Sequence, residues 1–234
     1  MSSRKSRRVA VVTGAASGIG AATVQLLADR GWLVAGMDVA ASGADWSIEV
    51  DVTDEAGVRD AFVEVEDHCG PVRALVTCAG HYEMAPFVEI LPAQWDKMLR
   101  VHIGGFYNCC RACLPQMCAR HCGEIVAITS ELGVGGGDGD SHYAAAKGAL
   151  IAIVRSLAQE VVGDGVYVNS VAPGPCDTPL LVPDSPWRAP AYLQSLPLRR
   201  LVTPGEVASA VVFLLEAGRF FVGDVVSPNG GAMI

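Results

Sequence analysis

Short apolar runs alternate with segments of helical periodicity along almost the whole chain, and no other feature restricts its fold as strongly. RRVAVVTG is followed by ASGIGAATVQLLADRG and then WLVAGMD, which read as a strand, a helix closing at Gly31 and a second strand. The alternation continues with EAGVRDAFVEVEDH as helix, PVRALVT as strand, one long helix from Pro92 to Met117 and GEIVAITS as strand. A helix from SHYAAAKGAL to about Val162, the strand VYVNSVA, a helix from Pro204 to Glu216 and a strand around FVGDVVS complete it. Strands that are apolar throughout are buried on both faces, as in a parallel sheet sandwiched by helices. The expectation is a doubly wound α/β fold, with a parallel sheet of about seven strands in one domain over residues 9–234. Only residues 173–197 break the rhythm. They hold seven prolines directly after a strand's carboxyl end, where a structureless insertion reads as a substrate lid at about 175–198.

Composition narrows the function classes. A net charge of −8 disfavours a nucleic-acid-binding body, because phosphate neutralisation needs clustered cations. Arg4, Lys5, Arg7 and Arg8 form a basic stretch, read as a flexible tail over residues 1–8. No apolar run is long enough to span a bilayer and the start does not read as a secretory signal, so a cytoplasmic protein without membrane contact is expected. The low charged fraction, 18%, hints at self-association. Cys109, Cys113 and Met117 fall on one stripe of a helix, which reads as core packing rather than a zinc site, and no metal is assigned.

TGAASGIG, residues 13–20, joins the first strand to the first helix. Gly14, Gly18 and Gly20, with Ser17 and Ile19 between them, allow a tight turn, close approach of a pyrophosphate and helix-on-strand packing, while the helix N-terminus offers N–H groups to the anion. The second strand ends in Asp38, whose carboxylate can accept from both hydroxyls of an adenosine ribose and would repel a 2′-phosphate. No arginine follows it. The pattern describes a Rossmann-type site with a preference for NAD. Asp51, beside Val52 in DVTD, reads as a contact to the adenine amino group, as a helix N-cap, or as both.

In SHYAAAKGAL, Tyr143 and Lys147 lie four residues apart and share a helix face. Together with TGAASGIG, the CAG of Cys78, Ala79 and Gly80, Ser130 thirteen residues before Tyr143, and the run Pro173, Gly174 and Thr178, this pair resembles the short-chain dehydrogenases/reductases over nearly the whole chain. The stretch DVTDEAGVRDAFVEVEDHCGPV is similar to 3-oxoacyl-carrier-protein reductases. IGGFYN and the pair Asp177 and Thr178 are similar to 2,3-dihydro-2,3-dihydroxybenzoate dehydrogenases.

The resemblance implies hydride exchange between NAD(H) and a secondary alcohol or ketone. Tyr143 is the implied acid and base, Ser130 the donor to the carbonyl oxygen, and Lys147 the holder of the nicotinamide ribose. A free phenol has a pKa of about 10, and the ammonium with the positive nicotinamide ring is expected to lower it by about two to three units. The family implies a homo-oligomer, commonly a tetramer. Two departures stand out. Thr77-Cys78 replaces the family's Asn-Asn, and His102 falls where the family has a catalytic asparagine, whose main-chain carbonyl sits at a helix break and holds a water. Gly104 and Gly105 make such a break easy here. His102 reads either as a proton carrier titrating between about pH 5 and 8 or as a neutral space-filler. The same departures motivate the alternative of a catalytically impaired, NAD-binding regulatory member. Glu131, Asp138 and Asp140 either shape a polar pocket or are solvated loop charges, the reading preferred here.

Overall fold

The computed structural model describes residues 7–233. Its first half runs β1 (Val9–Thr13), α1 (Gly18–Asp29), β2 (Leu33–Asp38), β3 (Trp46–Glu49), α2 (Glu55–Cys69), β4 (Val72–Thr77), α3 (Pro92–Leu99) and α4 (Gly105–Ala119). The second half is β5 (Gly123–Ile128), α5 (Leu132–Gly135), α6 (Ser141–Val161), β6 (Val166–Val171), α7 (Pro190–Ser195), α8 (Pro204–Ala217) and β7 (Val225–Val226). The seven strands are all parallel and lie in the order β3-β2-β1-β4-β5-β6-β7. The order reverses between β1 and β4, and a crevice opens beyond their carboxyl ends.

Strand alternation divides the core. Val9 and Val11 face the layer that contains Phe62, Cys109, Met117 and Val154, whereas Ala10 and Val12 face Val24, Leu27, Val207 and Val211 of α1 and α8. Cys109, Cys113 and Met117 form the expected buried stripe on α4. Burial pushes the Cys109 thiol up to about 12, so it behaves as an apolar side chain. The TPGE at residues 203–206 starts α8 as its pattern dictates. Thr203 Oγ1 accepts from Glu206 N at 3.3 Å, Glu206 Oε2 accepts from Thr203 N at 2.9 Å, and Pro204 occupies the first helical position.

Four expectations are corrected. Strand β3 has no apolar run to announce it, because it is a sheet edge of half-buried and exposed residues. The long helix from Pro92 is interrupted by a π-helical turn over Arg100–Gly104. The proline-rich segment is not structureless: it carries a 3₁₀ turn at Pro186–Arg188 and α7, each opened by a proline. The expected basic tail ends sooner, because Arg8 is docked. Its Nη2 lies 2.7 Å from Glu216 Oε1 and its guanidinium 4.2 Å above the Trp32 ring. Arg4 and Lys5 lie outside the described residues. No helix among the described residues is long and apolar enough to cross a membrane.

Candidate active site

Where β1 ends, Gly14 turns with φ +64° and Gly18 with φ +54°, the left-handed region that side chains rarely adopt. A Cβ on Gly14 would lie 2.7 Å from Ala79 N, so the ends of β1 and β4 meet backbone to backbone. Thr13 joins them: its carbonyl accepts from Cys78 N at 3.2 Å and its Oγ1 from Ala79 N at 3.1 Å. Thr77 is thus followed by the backbone geometry the turn requires although the usual asparagines are missing. Ser17 stands at the N-cap of α1 without making a capping hydrogen bond, which leaves its hydroxyl and the first helical N–H groups turned to the crevice.

Most of the sequence-derived cofactor residues converge here. Gly14, Ser17, Gly18, Ile19, Gly20 and Asp38 line a crevice of about 1080 Å³, its open mouth included. Asp51, Val52, Cys78, Ala79 and Gly80 line the same crevice. Asp38 is held in place by the glycine-rich turn itself, its Oδ2 accepting from Ala16 N at 2.9 Å and its Oδ1 from Ala40 N at 3.2 Å. Asp51 is not the helix cap. Asp54 caps α2 by accepting from Ala56 N at 3.1 Å, while Asp51 Oδ1 accepts from Thr53 N at 2.8 Å.

A second crevice, of about 790 Å³ with its mouth, adjoins the first and shares Ile19, Cys78, Gly80, Thr178 and Leu180 with it. Ser130, Tyr143, Lys147 and His102 line it from the sheet and helix side, with Pro173 and Gly174 after β6. Tyr143 and Lys147 project from the buried face of α6, Nζ lying 5.5 Å from the phenol ring centre and donating to Ile128 O at 2.7 Å. Burial lowers Lys147 to about 8. In the protein without dinucleotide, burial pushes the Tyr143 phenol above the ordinary value, with the Ser130 hydroxyl only partly opposing; the expected acidification involves the nicotinamide ring as well.

His102 sits inside the π-helical turn, 3% exposed, with Nε2 2.8 Å from His81 O and its ring edge-on to Tyr143 at 5.5 Å between centres. A Cβ on Gly80 would lie 2.8 Å from His102 Cε1, so the imidazole packs against the CAG turn. Burial, then the charge of Lys147, holds its pKa well below the ordinary value. The downward direction favours the reading of His102 as a neutral space-filler over that of a proton carrier.

Other residues of the crevice escaped sequence reasoning. Trp187 Nε1 donates to Tyr82 Oη at 2.7 Å, and Tyr82 Oη donates to Asp140 Oδ1 at 2.9 Å, with the Tyr82 ring edge-on to Tyr143 at 5.0 Å. Asp140 is fully buried and Glu131 is 7% exposed, which corrects their reading as solvated loop charges; Asp138 alone is exposed. Tyr82 and Trp187 stand 105 residues apart in irregular segments, where no periodicity marks them.

The geometry agrees with what the chain is similar to. The family model described as "Enoyl-(Acyl carrier protein) reductase" matches residues 14–233. A cis-4-hydroxycyclohexanecarboxylate dehydrogenase of Sinomonas cyclohexanicum is 40% identical, over 96% of this chain and 96% of its own. A 3-oxoacyl-[acyl-carrier-protein] reductase of Vibrio harveyi is 32% identical, over 96% of each. A solved structure described as a ribose-5-phosphate isomerase from Brucella melitensis 16M is 33% identical, covers 98% of this chain and 93% of its own, and superposes with a TM-score of 0.92. That description names an isomerisation, and the likeness is one of fold. The chain belongs to the short-chain dehydrogenase/reductase family, oxidoreductases that interconvert alcohols and ketones with a nicotinamide dinucleotide.

Proposed function

We propose that this protein is an NAD(H)-dependent dehydrogenase/reductase of a secondary alcohol and its ketone. The observation that carries the reading is the adjoining of two crevices: one bears Asp38 at its rim, and the other gathers Ser130, Tyr143 and Lys147. The bound dinucleotide supplies the hydride acceptor or donor. Gly14, Ser17, Gly18, Ile19 and Gly20 would hold its pyrophosphate against the start of α1, and Asp38 its adenosine ribose. Asp51 and Val52 would hold the adenine, and Cys78, Ala79, Gly80, Pro173, Gly174 and Thr178 the nicotinamide half. Cys78 acts there through its backbone and bulk, because burial raises its thiol to about 12.

Tyr143, holding its proton in the buried site, serves as the acid that protonates the oxygen of a ketone, and in the reverse direction its phenolate takes the alcohol proton. Ser130 donates to the same oxygen. Lys147, charged when it holds the ribose hydroxyls, draws the phenol down when the proton has to leave. His102 contributes its place in the π-helical turn rather than a titrating ring. Residues 175–198 act as the substrate lid, closed through Trp187 on Tyr82. A homo-oligomer, probed by sedimentation, and a cytoplasmic location complete the reading. The regulatory alternative rests on the departures at Thr77, Cys78 and His102, and the intact Ser130, Tyr143 and Lys147 argue against it.

The test is initial-rate oxidation of a panel of secondary alcohols with NAD⁺ and with NADP⁺. NAD⁺ is expected to be favoured by about a hundredfold in kcat/KM, and Asp38→Ala to reduce that ratio to about tenfold or less, because a like charge against the 2′-phosphate is removed. Equal efficiency with both dinucleotides refutes the NAD assignment. No turnover of any alcohol or ketone with either one refutes the catalytic reading.

A further inference from the structure

Glu131 directly follows Ser130 and lines the same crevice as Tyr143, Leu132, Leu181 and Trp187. It is 7% exposed, and its Oε2 is buried with no hydrogen-bond partner among the described residues. Its backbone is fixed: its N–H donates to Pro173 O at 3.1 Å, and its carbonyl accepts from Val134 N and Gly135 N, each at 2.9 Å. The residue thus borders the crevice with little of its surface exposed. A buried carboxylate lacking partners is unfavourable and rare unless something else supplies the donor.

The other charges at the crevice define what that donor is. Among the described residues Lys147 is the one cation lining it, and its Nζ already donates to Ile128 O at 2.7 Å. Arg188, on the overlying segment, is turned away: it pairs with Asp177 at 2.8 Å and donates to Leu181 O at 2.9 Å and Thr178 O at 3.3 Å. A substrate carboxylate would thus find no free cation and would meet the Glu131 anion. An ammonium substrate would meet Lys147. Leu132, Leu180, Leu181 and Trp187 offer apolar cover for a carbon skeleton.

We propose that Glu131 is a substrate-selecting residue, which accepts a hydrogen bond from a second hydroxyl of a neutral diol or polyol and disfavours substrates that carry a carboxylate. The assignment rests on the alcohol dehydrogenase reading above and names its substrate class. It separates this chain from its Sinomonas relative, whose name specifies a carboxylate substrate. Burial also pushes the Glu131 carboxyl up to about 7, which reflects the same missing partner.

Oxidation of cyclohexanol, the cyclohexanediols and hydroxycyclohexanecarboxylate with NAD⁺ at about pH 9, where the carboxyl is ionised, tests it. The parent is expected to prefer its best diol over cyclohexanol by about tenfold or more in kcat/KM, chiefly through KM, with the carboxylate the poorest of the three. Glu131→Leu is expected to bring diol and cyclohexanol within about twofold. Glu131→Gln keeps an acceptor but no charge, so it should retain part of the diol preference and raise the carboxylate substrate by about tenfold relative to cyclohexanol. NADH binding followed by fluorescence establishes that each variant is folded.

A parent that oxidises cyclohexanol and the diols equally, or a diol preference that survives Glu131→Leu, overturns the assignment and leaves the dehydrogenase reading intact. Preferred oxidation of the carboxylate or of an amino alcohol overturns it as well. If no alcohol is oxidised, both readings fall together.

Discussion

Lys147→Met is the perturbation that tests the balance of forces at the site's centre. The ammonium is 4% exposed and has one protein acceptor, the Ile128 carbonyl at 2.7 Å, so most of its hydration is lost without replacement. Burial takes its pKa from 10.5 to about 8. The folded protein therefore releases this proton at lower pH than the unfolded chain does, and between those two values the unfolded chain binds more protons. Stability must then rise with pH across that window. At about 1.36 kcal/mol per pK unit, the charged lysine destabilises the cofactor-free protein by about 3 kcal/mol at neutral pH, and most of this is recovered by pH 10.

Urea unfolding of the parent and of Lys147→Met, each without dinucleotide, measures this directly. The difference in unfolding free energy, parent minus variant, should increase by about 2–3 kcal/mol from pH 7 to pH 10, because every other titrating group cancels in the subtraction. Parallel stability curves would show that the ammonium is not desolvated as described, and the account of Tyr143 and Lys147 as groups whose charged forms are disfavoured by burial would fail with it.

Tyr143→Phe removes the proposed proton donor and keeps the ring, so kcat should fall by about a hundredfold or more while the NADH dissociation constant stays within about threefold; near-normal turnover sinks the assignment. His102→Asn should leave the apparent pKa values of the rate profile between about pH 5 and 8 unchanged, because burial disfavours the charged imidazole, and a displacement of about one unit would return His102 to proton transfer. Gly14→Ala forces a side chain into φ +64° and 2.7 Å from Ala79 N, which should destabilise the protein by about 2–4 kcal/mol and weaken dinucleotide binding. Thermal unfolding of that variant within a degree of the parent would show that the two strand ends do not meet as described.

The elements with a dense local code were readable from the chain alone. The apolar strands β1, β4, β5 and β6, the helical periods between them, the TGAASGIG turn and the pair Tyr143 and Lys147 are all patterns within a few residues, and each holds in the structure. The half-exposed edge strand β3 and the turns inside the proline-rich segment were not legible, because partial burial and rigid φ angles leave no hydrophobic period to read. The π-helical turn around His102 was foreshadowed only by Gly104 and Gly105 and by family resemblance.

What the tertiary structure decided was the environment of each polar group. In sequence, Lys147 beside Tyr143 predicts an acidified phenol, Asp140 predicts a solvated loop, and Glu131 is merely the residue after a serine. Folding removes water from all of them: it raises the phenol, lowers the ammonium, seals Asp140 beneath Tyr82 and leaves the Glu131 carboxyl at the substrate crevice without a donor. Spacing along a chain settles which side chains share a face. The number of water molecules each one loses depends on segments as far apart as Tyr82 and Trp187, and that loss sets their charge.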